Sequence, residues 1–288
     1  MHALPSLVAL AAGVALAPAL LRALSDGGHT RPNYRGRELP FPFGVLVLAA
    51  ASLALIPLTL LAFLASAHIF LEPLLPIAIY ALGVLALGLV DDTLACDVRG
   101  AGEQRVRGWR GHGAALVRGE LSTGALKAFG SLGLALLTAH VAGLGLGLRL
   151  SDGRWLLAAA VLVLATNVFN LLDLRPGRAT KAFVLLGAGL TIGSAKVAPL
   201  WALGLFAAPA LVAGAYDLRE RAMLGDTGAN LLGALAGLWL VLTLSTAGQI
   251  VALALLAIIT VYGEFRSISA FIERTPGLRQ LDSLGRPA

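Results

Sequence analysis

The stretch IFLEPLLPIAIYALGVLALGLVDD, residues 69–92, runs from Pro73 to Val90 without a charged side chain and then closes on two carboxylates, Asp91 and Asp92. About 20 apolar residues at 1.5 Å per residue match the roughly 30 Å hydrocarbon core of a bilayer. The stretch therefore reads as a transmembrane helix with an acid pair at its end. The whole chain repeats that pattern, since its 288 residues are 58% hydrophobic and only 13% charged. A mean hydropathy of +0.83 excludes an ordinary soluble domain.

Apolar runs can be marked at 3–24, 43–66, 69–90, 125–148, 155–173, 181–195, 197–215, 229–246 and 248–264. The fold expected is all-α, a polytopic transmembrane bundle of about nine helices, nine to ten by count. The runs 181–195 and 197–215 are short and admit a re-entrant hairpin. The first run lacks a basic leader and is read as a retained helix. The 34 glycines and many alanines favour close helix approach, because association in lipid depends on small-residue contact. Cys96, the single cysteine, cannot form an internal disulfide.

Nine helices alternate the connections between two faces, and 19 of the 22 Lys and Arg fall on one of them. Only Arg149, Arg154 and Lys196 lie opposite. The positive-inside rule puts the N-terminus outside and the C-terminus in the cytoplasm. Net charge +6 follows from this bias and from attraction to anionic lipid, not from nucleic-acid binding. Residues 1–264 read as a single transmembrane domain with cytoplasmic loops 25–42, 91–124, 174–181 and 216–228. Residues 265–288 read as a cytoplasmic interfacial tail, with Phe265, Ile268, Phe271 and Ile272 at roughly helical spacing. The basic loop 93–124, which carries Trp109 and His112, is a solvated loop, a headgroup contact or a cover for the site.

Three polar clusters share the cytoplasmic face: Asp91-Asp92, Asn167-x-x-Asn170-x-x-Asp173 and Gly225-Asp226-Thr227-Gly228. Each has an ordinary explanation. The first is a solvated loop start, the second a helix terminus, and the third an N-cap from Asp226. Acids at a helix C-terminus oppose its dipole, however, and Asn167 and Asn170 lie too deep for a terminus. Together the clusters suit phosphoryl chemistry. Carboxylate oxygens bind Mg²⁺ that shares phosphate oxygens with a substrate, while Lys127, Arg175, Arg178 and Lys181 can neutralise phosphate charge.

The strings Gly88-Leu89-Val90-Asp91-Asp92, Lys127, Asn167-Val168-Phe169-Asn170-Leu171-Leu172-Asp173 and Met223-Leu224-Gly225-Asp226-Thr227-Gly228 occur in that order. With the early loop Asn33-Tyr34-Arg35-Gly36-Arg37-Glu38-Leu39-Pro40, the chain from about 33 to 246 resembles the polyprenyl-phosphate aminosugar-1-phosphate transferases, phospho-N-acetylmuramoyl-pentapeptide transferase among them. The resemblance implies Mg²⁺-dependent transfer of a sugar-1-phosphate from a nucleotide-diphosphate sugar, most simply UDP-linked, to polyprenyl phosphate. UMP would be released, in cell-envelope glycan synthesis at the inner or plasma membrane. By motif position Asp91 would be the base, Asp92 would assist it or the metal, and Asp226 would ligate Mg²⁺ with Asp92. Asn170 and Asp173 would hold the nucleotide-sugar end of the site, Asn167, Arg175 and Arg178 would be further substrate-binding residues, and Lys127 would offset phosphate charge. The chain departs from the family's pattern after Asp173, where Leu174-Arg175-Pro176-Gly177-Arg178 replaces a Gly-x-Asp-Gly continuation, and no histidine lies beyond His140. The alternative is a non-catalytic membrane binder or transporter of lipid-linked sugars. A homodimer is compatible with either reading.

Overall fold

The computed structural model describes residues 1–97, 123–146 and 153–287. These residues form helices and one two-stranded hairpin. The long helices are α1 (Leu4–Asp26), α2 (Val45–Leu64), α3 (Leu74–Asp97), α4 (Thr123–Leu146), α5 (Arg154–Leu172), α6 (Arg178–Ser194), α7 (Ala198–Leu218), α8 (Gly225–Thr243) and α9 (Thr246–Phe265). Two short helices follow, α10 (Ile268–Arg274) and α11 (Pro276–Ser283). The strands β1 (Thr30–Pro32) and β2 (Glu38–Pro40) pair antiparallel, with Thr30 opposite Pro40.

Among the described residues each of the nine apolar runs lies mostly on a helix, and seven of the helices are long and apolar enough to cross a membrane: α1, α2, α3 over Leu74–Leu94, α5, α7, α8 and α9. Helix α6, at 17 residues, and α4 fall outside that set. Helix α7 runs for 21 residues, the length of a span rather than half of a re-entrant hairpin. The largest differences from the sequence reading are in two helices. Helix α3 begins only after Pro73 and continues past the acid pair to Asp97, since Thr93–Asp97 contains no Pro or Gly to stop it. Helix α8 begins at Gly225 rather than 229, because its first turn is capped from another helix. Residues 98–122, most of the basic loop and its His112, lie outside the described residues.

Helix α8 is the axis of the bundle. It packs against α3, α5, α6 and α7, and nearly all of it is buried, whereas α9 on the rim is mostly uncovered. Its Gly- and Ala-rich sequence lets four neighbours approach at once. Helix α1 lies across α7 and α2, α4 bridges α3 and α5, and α9 packs on α5. Alternation of direction then gathers the C-terminal ends of α1, α3, α5 and α7 and the N-terminal ends of α2, α4, α6 and α8 at one end of the bundle.

The hairpin is built onto that end. Asn33 Oδ1 accepts from the backbone N–H groups of Arg35 (2.8 Å) and Arg37 (3.0 Å), which closes the turn. Glu220, 1% exposed, clamps the hairpin from the α7–α8 connection. It accepts from Asn33 Nδ2 and Tyr34 Oη, both at 3.1 Å, and pairs with Arg35 and Arg37. A buried carboxylate is tolerable when hydrogen-bonded and paired in this way. Beyond β2 the chain laces onto the entry to α8: Met223 N–H donates to Pro40 O, Phe43 N–H to Met223 O and Gly44 N–H to Leu224 O.

Candidate active site

The first turn of α8 sits directly against the end of α3. Gly88 lies where an added Cβ would come 2.6 Å from the Asp226 carbonyl oxygen, and Gly225 holds a φ of +70° with its Cβ direction aimed at Asp92 Oδ2. Only glycine fits both positions. The close approach lets Asp92 cap α8 from a different helix. Its Oδ1 accepts from Asp226 N–H (3.1 Å), and its Oδ2 accepts from Thr227 N–H (2.8 Å) and Thr227 Oγ1 (2.7 Å). Leu224, the residue preceding α8, supplies no side-chain cap. A carboxylate at the positive end of α8 is favourable and offsets the cost of placing it near the negative end of α3. Arg31 completes the anchor, donating to the Asp92 backbone carbonyl and lying 4.0 Å above the Phe41 ring.

Capping by Asp92 frees Asp226 of the N-cap role that its position suggests. Its side chain instead meets Lys127, from the first turns of α4. The Lys127 ammonium donates to Asp91 Oδ2 at 3.2 Å and to Asp226 Oδ2. The side chains of Lys127, Asp91 and Asp226 keep 18%, 14% and 29% of their exposure, so this clasp opens to solvent. Asp92 is 5% exposed and does not.

Asp173 caps the C-terminal end of α5 and joins the same acidic end. Burial pushes its carboxyl well above the ordinary value, and the nearby Asp217, Asp226 and Asp92 carboxylates push it the same way against the pull of Arg178. Asp217, buried at the end of α7, accepts from Gly177 N–H (2.6 Å) and Leu224 N–H (3.4 Å). It thereby ties the segment after Asp173 to the entry of α8. Asn170 is partly buried one turn before Asp173 and sends its backbone carbonyl to Asp173 N–H. Asn167 is not brought to the site, since its Nδ2 donates to Thr260 Oγ1 on α9 at 3.2 Å. Three residues turn a helix about 60° short of a full circle, so Asn167 and Asp173 point about 120° apart.

The two arginines after Asp173 meet the C-terminal tail. Arg178, 5% exposed, holds Asp282 through Nε (2.8 Å) and Nη2 (3.0 Å), and its Nη1 donates to Ser269 Oγ. Arg175 pairs with Glu273 at 2.9 Å and lies 4.5 Å over the Tyr34 ring. Lys181 donates to the backbone carbonyls of Leu281 and Asp282, and Arg286 donates to Pro176 O and Asp282 Oδ1. Burial raises the Asp282 carboxyl, but hydrogen bonds and charge from Arg178 and Arg286 outweigh it and hold it below the usual carboxylate range. The tail is therefore docked on the bundle through its polar side and is more than a helix resting on headgroups. Arg175 and Arg178, expected to bind substrate, are placed by the structure on the tail acids Glu273 and Asp282.

No protein-family model and no curated protein matches this sequence. The chemistry must then be judged from the side chains themselves. Among the described residues no three His, Cys, Asp or Glu side chains group closely enough to cage a metal ion. Mg²⁺ does not require such a cage, since it is commonly held by one or two carboxylates with waters and substrate phosphates. The pair that fits is Asp91 with Asp226. The expected pair of Asp92 and Asp226 does not, because Asp92 is consumed by three donors at the α8 terminus. Sequence reasoning missed Asp217, Glu220 and Asp282, and it counted Arg31 only as topogenic charge. A signal existed for the first two: they are acids in the short Arg-bearing segment 216–221, where solubility alone does not call for them.

Proposed function

We propose that this protein is a membrane phosphoglycosyl transferase, moving a sugar-1-phosphate from a nucleotide-diphosphate sugar to a polyprenyl phosphate. The observation that carries the reading is the solvent-open Asp91–Lys127–Asp226 clasp, set where α3, α4 and α8 meet. Two hard carboxylates and a mobile ammonium at a helix N-terminus form a site for a diphosphate and its metal. In this reading the bundle has nine spans, with the N-terminus outside and the site on the cytoplasmic face of the inner or plasma membrane.

Asp91 and Asp226 would hold Mg²⁺, which when bound supplies charge neutralisation for the diphosphate and the leaving nucleoside phosphate. An oxygen of the lipid phosphate attacks the phosphorus bearing the sugar. The bond from that phosphorus to the bridging oxygen breaks, and the nucleoside monophosphate leaves with the electron pair. Lys127 neutralises the phosphate oxygens. Asp92 positions the α8 first turn and stays out of the chemistry. Asp173 would face the nucleotide-sugar, with Asn170 beside it.

The test is mass-spectrometric detection of polyprenyl-diphosphate sugar formed by purified protein, Mg²⁺, undecaprenyl phosphate and a panel of UDP-sugars. Product that disappears in Asp91→Asn and Asp226→Asn supports the reading. A second reading, a non-catalytic binder of lipid-linked sugars, is favoured by one observation, the pairing of Arg175 and Arg178 with tail acids. It predicts lipid binding and cellular function unchanged by Asp226→Asn.

A further inference from the structure

In the clasp the Lys127 ammonium touches both carboxylates at once, so it stands where a divalent ion shared by Asp91 and Asp226 would stand. Both sites cannot be filled together. An ammonium is a compact cation on a flexible four-carbon stem, able to leave one oxygen cluster for another. Asp92 offers no second location for an ion, as its oxygens are committed to Asp226 N–H, Thr227 N–H and Thr227 Oγ1. We infer that Lys127 is an exchangeable internal cation of the Asp91–Asp226 clasp, which a divalent ion displaces and which then moves onto the substrate's phosphate oxygens. This inference rests on the transferase reading and adds a regulatory property to it. Metal binding is opposed by the protein's own lysine until a diphosphate arrives to receive that lysine, so metal and nucleotide-sugar bind cooperatively.

The consequence runs against the usual effect of deleting a site residue. Removing the ammonium should tighten metal binding while harming turnover. The experiment is a titration of detergent-purified full-length protein with Mn²⁺, reading free Mn²⁺ by electron paramagnetic resonance, without and with UDP. Lys127→Met should bind Mn²⁺ at least about tenfold more tightly than wild type in the absence of UDP, because a positive charge in contact with both ligands is gone. Lys127→Arg keeps the charge and should stay near the wild-type value. UDP should strengthen Mn²⁺ binding to wild type and have little further effect on Lys127→Met. Equal or weaker binding by Lys127→Met overturns the exchange and leaves the transferase reading standing. Absence of any Mn²⁺ binding, with or without UDP, in wild type and both variants overturns the metal site and the proposed function with it.

Discussion

Replacing Asp92 with alanine removes three hydrogen bonds from the first turn of α8, two from backbone N–H groups and one from Thr227 Oγ1. The two N–H groups sit at a helix terminus packed against α3, one buried and one partly buried, and among the described residues the Asp92 carboxylate is their acceptor. A buried donor left without a partner costs about 1–3 kcal/mol, and losing a helix cap about 0.5–2 kcal/mol. These costs overlap, so the sum expected for Asp92→Ala is about 3 kcal/mol. Asp92→Asn keeps one oxygen acceptor and should lose about half as much. At about 2–4 °C per kcal/mol for a chain of this order of size, Asp92→Ala should lower the melting temperature by roughly 6–12 °C. Asp91→Asn provides the contrast. Its partner Lys127 keeps water contact and a second carboxylate, so the stability loss should stay near about 1 kcal/mol while product formation stops. Thermal unfolding of both variants in one detergent, beside the transferase assay, separates the two acids. Asp92→Ala melting within about a degree of wild type would refute the assignment of Asp92 to holding the α8 terminus.

Other perturbations follow from the same contacts. Gly88→Ala places a methyl group 2.6 Å from the Asp226 carbonyl oxygen, and overpacking of this kind costs about 1–3 kcal/mol. It should lower both melting temperature and activity; an unperturbed variant would count against the close α3–α8 approach. Asp282→Ala leaves Arg178 buried without its carboxylate, a loss of about 3–5 kcal/mol in comparable buried pairs, and should make the segment after Arg266 sensitive to trypsin at concentrations that spare wild type. The folded Asp282 carboxyl lies below its unfolded value, so its contribution is complete above the ordinary carboxylate pKa and is lost as pH falls through the lowered value. Tail protection measured by hydrogen exchange should hold at pH 5 and fall only in stronger acid. Loss of protection between pH 7 and 5 would contradict the pairing.

The helices were legible because lipid leaves few alternatives to a continuous apolar run, and each marked run from 3–24 to 248–264 lies on one of α1 to α9. The convergence of Asp91, Asp92, Lys127, Asp173 and Asp226 was legible from alternation of direction alone. What each side chain does there was not. Asp91 and Asp92 are adjacent in sequence yet about 100° apart on α3, which sends one to the clasp and the other to the α8 terminus. Asn167 stands two three-residue steps before Asp173, and the helical rotation over those six residues turns it to Thr260. Long-range pairs such as Arg178–Asp282 and Glu220 with the hairpin leave no local pattern, since their partners lie some 100 and 190 residues away in sequence.

The most direct test of the central claim is UMP release from UDP-sugars by the purified protein with Mg²⁺, measured with and without undecaprenyl phosphate. The account predicts release that needs both the lipid phosphate and Mg²⁺ and that is lost in Asp226→Asn. No release from any donor, by protein shown to be folded, would contradict it.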